Sequence, residues 1–103
     1  MEDNIGYQIN ADPEAVDLRI RVNDDFMFLH AHVSSRSKSA FIAVAEGGRD
    51  CLFMQWPEDP NTLDTIREYF SSLRRGFAIQ PIVNAAITDL LKLADGLEKK
   101  AGI

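Results

Sequence analysis

Three patterns in this sequence predict an α+β domain: an antiparallel meander of four strands, or five if the N-terminal arm joins it, followed by two helices packed on one face. Val16 to Asn23 alternates apolar and polar residues without a fault. Phe26 to Val33 also alternates, but both of its faces carry large side chains. After Pro57 to Pro60 the apolar spacing changes from two residues to three or four, the period of a helix. The 103 residues make one domain: 1–15 as an arm or edge strand, 16–56 as the sheet, 61–75 as helix A and 81–99 as helix B. No internal repeat, low-complexity tract or linker divides it.

In the arm, Ile5, Tyr7 and Ile9 alternate with Gly6, Gln8 and Asn10, which suits a short edge strand or a loose segment. Asp12 and Pro13 follow as a turn. Val16, Leu18, Ile20 and Val22 then share one side of a strand, while Asp17, Arg19, Arg21 and Asn23 share the wet side. Asn23 and Asp24 favour a tight hairpin into the next strand. The register expected from it sets Val16 against Ala31, Leu18 against Leu29 and Ile20 against Met27 on the apolar face. On the opposite face it sets Asp17 against His30, Arg19 against Phe28 and Arg21 against Phe26. Each such pair contributes roughly 0.2 to 1 kcal/mol.

Ser34 to Lys38 is a polar loop, and Ala40 to Ala45 is apolar on both faces, as an interior strand must be. Glu46 to Asp50 turns on two glycines, and Cys51 to Trp56 is the fourth strand of the sheet. Leu52, Met54 and Trp56 lie on one side of it and Cys51, Phe53 and Gln55 on the other; periodicity leaves open which side meets the core. Helix A shows a stripe of Leu63, Ile66, Phe70, Leu73 and Phe77, a capping-box spacing in Asn61 and Asp64, basic Arg74 and Arg75 at its end, and Gly76 as its stop. Helix B starts at Pro81. Its apolar surface is so wide that it needs cover from two sides, either helix A plus the sheet or a second subunit.

The composition, 46% hydrophobic and 26% charged, is that of a folded domain. A net charge of −5 disfavours a duplex DNA binder, since neutralising phosphates drives that association. Cys51 is the only cysteine, so neither an intramolecular disulfide nor a thiolate zinc cluster is expected. The start, MEDNIGYQ, has acids where a secretory signal has bases, and the longest apolar run, Ala40 to Ala45, is too short to cross a bilayer. A soluble, unprocessed, cytoplasmic protein without membrane contact is expected.

Candidate chemistry is sparse. His30 and His32 aim two imidazoles the same way from one strand, with Asp17 as a third candidate ligand across the hairpin. Nothing further on that face completes a set, so no metal and no cofactor is expected. Cys51 lies within a strand, away from any helix N-terminus, and reads as a buried structural cysteine. Gly47-Gly48 lacks the features of a phosphate loop, and the serines of SSRSKS have no triad context. No catalytic residue is assigned, and an enzyme is not expected.

The candidate binding patch is Asp17, Arg19, Arg21, Phe26, Phe28, His30 and His32, all expected on one sheet face. Exposed phenylalanines in a contiguous patch mark association, which predicts a non-catalytic protein-interaction module. Small acidic inhibitors, adaptors and immunity proteins, including phage- or mobile-element-encoded blockers, are of this kind, and a homodimer through helix B or the sheet is expected. The acids would imitate phosphates toward a basic partner. The alternative is single-stranded nucleic acid on the same face, with rings stacking bases and guanidinium groups following phosphates. VDLRIRV, FMFLHAHV, AFIAVAE and the helix after them resemble one repeat of the PUR and PC4-type single-strand binders over Val16 to Gly76. That resemblance implies nucleic-acid contact through the sheet, and the acids Asp17, Asp24, Asp25, Glu46 and Asp50 depart from it.

Overall fold

Each strand pairs with its neighbour in sequence, because every connection in the sheet is a hairpin. The computed structural model describes residues 5–22 and 27–101, with side chains to Lys99. Strands β1 (Ile5–Asp12), β2 (Ala15–Val22), β3 (Met27–Ser34), β4 (Ser39–Glu46) and β5 (Arg49–Trp56) form one antiparallel sheet in the order β1-β2-β3-β4-β5. Helices α1 (Thr62–Gly76) and α2 (Pro81–Ala101) follow. The N-terminal arm is therefore a fifth strand, with Tyr7 facing Ile20 and Ile9 facing Leu18.

Turn chemistry explains the hairpins. At the β1–β2 turn the Glu14 N–H donates to Asp12 Oδ1 at 2.8 Å, an Asx turn completed by Pro13. Gly47 and Gly48 both have positive φ, 58° and 80°, as a two-residue turn between twisted strands requires. The β3–β4 loop is tied to the β1–β2 turn: Ser35 N–H donates to the Glu14 carbonyl at 2.8 Å, Arg36 Nε to Glu14 Oε2 at 2.8 Å, and Arg36 Nη2 to both Asp12 oxygens at 3.3 Å. The hydrogen bond from Glu14 N–H, aided by Arg36, holds the Asp12 carboxyl below its ordinary 3.8.

The β2–β3 register differs from the expected one. Val22 faces Met27, Ile20 faces Leu29, Leu18 faces Ala31 and Val16 faces Val33, a shift of two residues along the strand. Residues 23–26 connect the paired positions, so the longer connection moves the pairing. The turn expected at Asn23 and Asp24 lies outside the described residues, and so does Phe26. An even shift keeps every side chain on its own face, so the inward and outward sets survive while their partners change.

Inward, Val16, Leu18, Ile20, Val22, Leu29, Ala31, Val33, Ala40, Ile42 and Val44 are buried against both helices. Leu63, Ile66, Phe70 and Leu73 of α1 meet them, as do Val83, Ala86, Ile87, Leu90, Ala94 and Leu97 of α2. The broad apolar surface of α2 is thus covered by its own chain. α2 contacts β1, β2 and β3 as well as α1, and Ile82, at 58% exposure, is its one large hydrophobic left open among the described residues.

Asn61 makes no side-chain cap at the start of α1. Asp59 does that work from further back: its Oδ1 accepts the Asn61 N–H at 2.9 Å, and its carbonyl accepts the Thr62 hydroxyl at 2.8 Å. Asp64 pairs with Arg67 instead, whose guanidinium also reaches Asp95 and Glu98 on α2 at 2.8 and 3.2 Å. Burial opposes the charge on Arg67, but its bonds to Asp95 and Glu98 outweigh it and raise its pKa. Arg74 does more than face the helix dipole. Its Nη2 donates to the Asn84 carbonyl at 2.8 Å and to the Thr88 hydroxyl, closing the other end of the helix pair.

Candidate binding face of the sheet

Alternation places Asp17, Arg19 and Arg21 of β2 on the face away from the helices, beside Phe28, His30 and His32 of β3, Phe41, Ala43 and Ala45 of β4, and Phe53 and Gln55 of β5. Six of the seven residues expected in the patch are brought together here; the seventh, Phe26, lies outside the described residues. Among the described residues no element covers this face. Phe28, His30, His32 and Phe41 are half-buried by one another, and Phe53 is 61% exposed.

Asp17 is the hub. It lies directly opposite His32 and diagonally from His30, whose cross-strand partner is Arg19, and it reaches both rings. His30 Nε2 is 3.1 and 3.2 Å from the two carboxylate oxygens, and His32 Nδ1 is 3.1 Å from Oδ2. Because an ionised carboxylate only accepts, both rings must donate, which fixes the neutral tautomers as Nε2–H for His30 and Nδ1–H for His32. Arg19 Nε stands 3.8 Å from the same carboxylate. Among the described residues no group of three or more histidine, cysteine or acidic side chains is arranged to hold a metal ion.

Phe41 joins the histidines into an aromatic row. His30 meets it edge-on at 4.8 Å between centroids, His32 stacks on it at 5.6 Å and 13°, and Phe53 continues the row at 6.1 Å. Phe28 extends it the other way, edge to His30 at 6.4 Å. Phe41 and Phe53 were missed by pattern reading because β4 is apolar on both faces and the facing of β5 was open. A bulge at Val44/Ala45 settles that facing: Leu52 pairs with Val44 and packs on the core, Phe53 pairs with Ala43 and points out. Cys51 falls at the bulge and is exposed, not buried as expected, with Sγ 3.5 Å from the Arg49 carbonyl.

Beyond the aromatic row, Arg19 and Arg21 border a shallow hollow of about 440 Å³ with Gly6, Tyr7, Gln8 and Phe28. Arg21 faces Gly6 on one side and Phe28 on the other, and the missing side chain at Gly6 leaves the space open. Among the described residues no acidic side chain lines it. Arg19 stands beside the Asp17 carboxylate, whereas Arg21, unlike Arg36, Arg67 and Arg74, makes no ion pair or side-chain hydrogen bond among the described residues.

Among the described residues no helix is long and apolar enough to cross a membrane. No family model, no curated protein and no solved structure matches this chain.

Proposed function

We propose that this chain is a non-catalytic interaction module that lays the open face of its sheet on a partner protein, as a small inhibitor, adaptor or immunity protein does. The observation that carries this reading is the uncovered aromatic row ending in Phe53, 61% exposed on a strand that also forms the edge of the sheet. Aromatic side chains contribute most to contact energy where water is excluded from around them, and here they are held rigid by each other and by Asp17. The net charge of −5 favours a basic partner, a cytoplasmic setting accords with the single exposed thiol, and a homodimer belongs to the same reading. The test is affinity capture from cells that make the protein, with wild type and Phe53→Ser side by side. A partner held by the first and lost by the second is expected; equal capture by both sinks the reading.

Single-stranded nucleic acid is the second reading, and it draws on one feature: Arg21, without an ion-pair partner among the described residues, next to Arg19 and Phe28 at the same hollow. A phosphate between the guanidinium groups with a base on the phenyl ring suits that arrangement. Fluorescence anisotropy with a labelled oligonucleotide at low salt tests it. Binding that weakens in Arg21→Ala and falls steeply with salt would support it, and no anisotropy change would end it.

A further inference from the structure

The edges of the sheet are unequal. On β1 the helix side carries Ile5, Ile9 and Tyr7, the last 41% exposed, but the outward positions are Gly6, Gln8 and Asn10, polar or without a side chain. On β5 the run Leu52 to Trp56 is uncharged and almost wholly apolar: Leu52, Met54 and Trp56 are only partly buried on the helix side, and Phe53 stands free on the other. Monomeric proteins guard such edges with lysine, proline, bulges or covering loops. Here the bulge at Cys51 guards one end, and at the other Pro57 leads into a turn whose Asp59 N–H donates to the Gln55 carbonyl at 2.7 Å, which leaves the stretch around Phe53 as the open part of the edge.

We infer that β5 pairs antiparallel with β5 of a second copy of this chain, centred on Phe53, to make one continuous ten-stranded sheet with both aromatic rows on the same face. The occupant is argued from self-complementarity. A twofold axis through Phe53 and normal to the sheet sets Leu52 against the partner's Met54 and Phe53 against the partner's Phe53, so apolar meets apolar on both faces at the centre, with the polar Gln55 and Asp50 falling opposite the partner's Cys51 and the partner's Trp56 toward the ends. Beyond the paired run it brings the basic Arg49 toward the end where the partner's Glu58 stands. Such a contact closes on itself. Pairing of β5 with the partner's β1 would instead be heterologous and would propagate into a filament. Helix α2 offers no comparable surface, because its large apolar residues other than Ile82 are packed on the sheet and α1.

The inference rests on the homodimer included in the proposed function, and the experiment separates self-association from the edge assignment. Size-exclusion chromatography with light scattering should give twice the 11.5 kDa chain mass. In a Cys51→Ser background, Phe53→Cys should form an intermolecular disulfide under mild oxidation, because directly opposite positions in an antiparallel pair have Cα atoms about 4.5–5.5 Å apart, within disulfide range. Gln8→Cys in the same background should not. Met54→Lys should weaken self-association by at least about tenfold and leave the circular dichroism spectrum unchanged. A monomer at all concentrations overturns self-association itself. A dimer that ignores Met54→Lys and gives no cross-link at position 53 overturns the edge assignment alone.

Discussion

On the helix side of β3, Leu29, Ala31 and Val33 are at most 1% exposed, whereas on the other side of the same strand Phe28, His30 and His32 keep part of their surface in water. The inner set is aliphatic and sealed by two helices. The outer set is aromatic and imidazole, organised around one carboxylate and open to contact. A strand cannot change one face without leaving the other in place, so the two faces can be altered independently at adjacent residues. The inner face therefore determines stability and the outer face determines what the sheet meets.

Substitutions can break that division. Phe70→Ala removes a fully buried ring between α1 and the sheet and should cost about 3–5 kcal/mol in chemical denaturation, with large exposure of apolar surface. Asp17→Ala is the intermediate case. It leaves two half-buried imidazole donors without their acceptor and should cost roughly 1–2 kcal/mol by the same measurement, together with altered imidazole resonances of both His30 and His32 in NMR. If only one histidine responds, the carboxylate is not a shared hub.

Phe53→Ser should change stability by no more than about 0.5 kcal/mol while association is lost, since the ring is mostly in solvent. A large loss of stability there would erase the distinction between the faces. The smallest effect belongs to the end of the sheet, at Asp12. Its folded pKa lies below the unfolded value, so its contribution is complete above the ordinary aspartate range and disappears as pH falls through the lowered value. Asp12→Asn should accordingly differ from wild type in thermal melts near neutrality, and the difference should shrink as pH falls through the lowered pKa of Asp12.

Most of the fold was legible because alternation and helical stripes are dictated by burial, and burial is encoded residue by residue. Strands β2 to β5 and both helices stand within a few residues of their expected bounds, and the weakly patterned arm became β1 because Ile5 and Ile9 complete the apolar face. Pairing partners were less legible. Face depends on parity, which the pattern fixes, but register depends on the length of the connection at 23–26, which it does not. Asp17 was expected beside His30 as a third ligand or a group orienting one ring, whereas it lies opposite His32 and reaches both rings. Phe41 escaped because β4 is apolar on both faces, and Phe53 because the facing of β5 depends on a bulge that no residue type announces. Cys51 was misplaced for the same reason.

Trp56 ends β5 opposite Ala40, partly buried on the helix side of the edge strand, and it is the only tryptophan in the chain. Its indole is therefore a native optical reporter placed at the β5 edge of the sheet. Quenching by a small solute such as acrylamide would read the protection of that boundary directly, with no label attached. Far-ultraviolet circular dichroism would follow the two helices in the same sample, so loosening of the edge could be timed separately from loss of the fold.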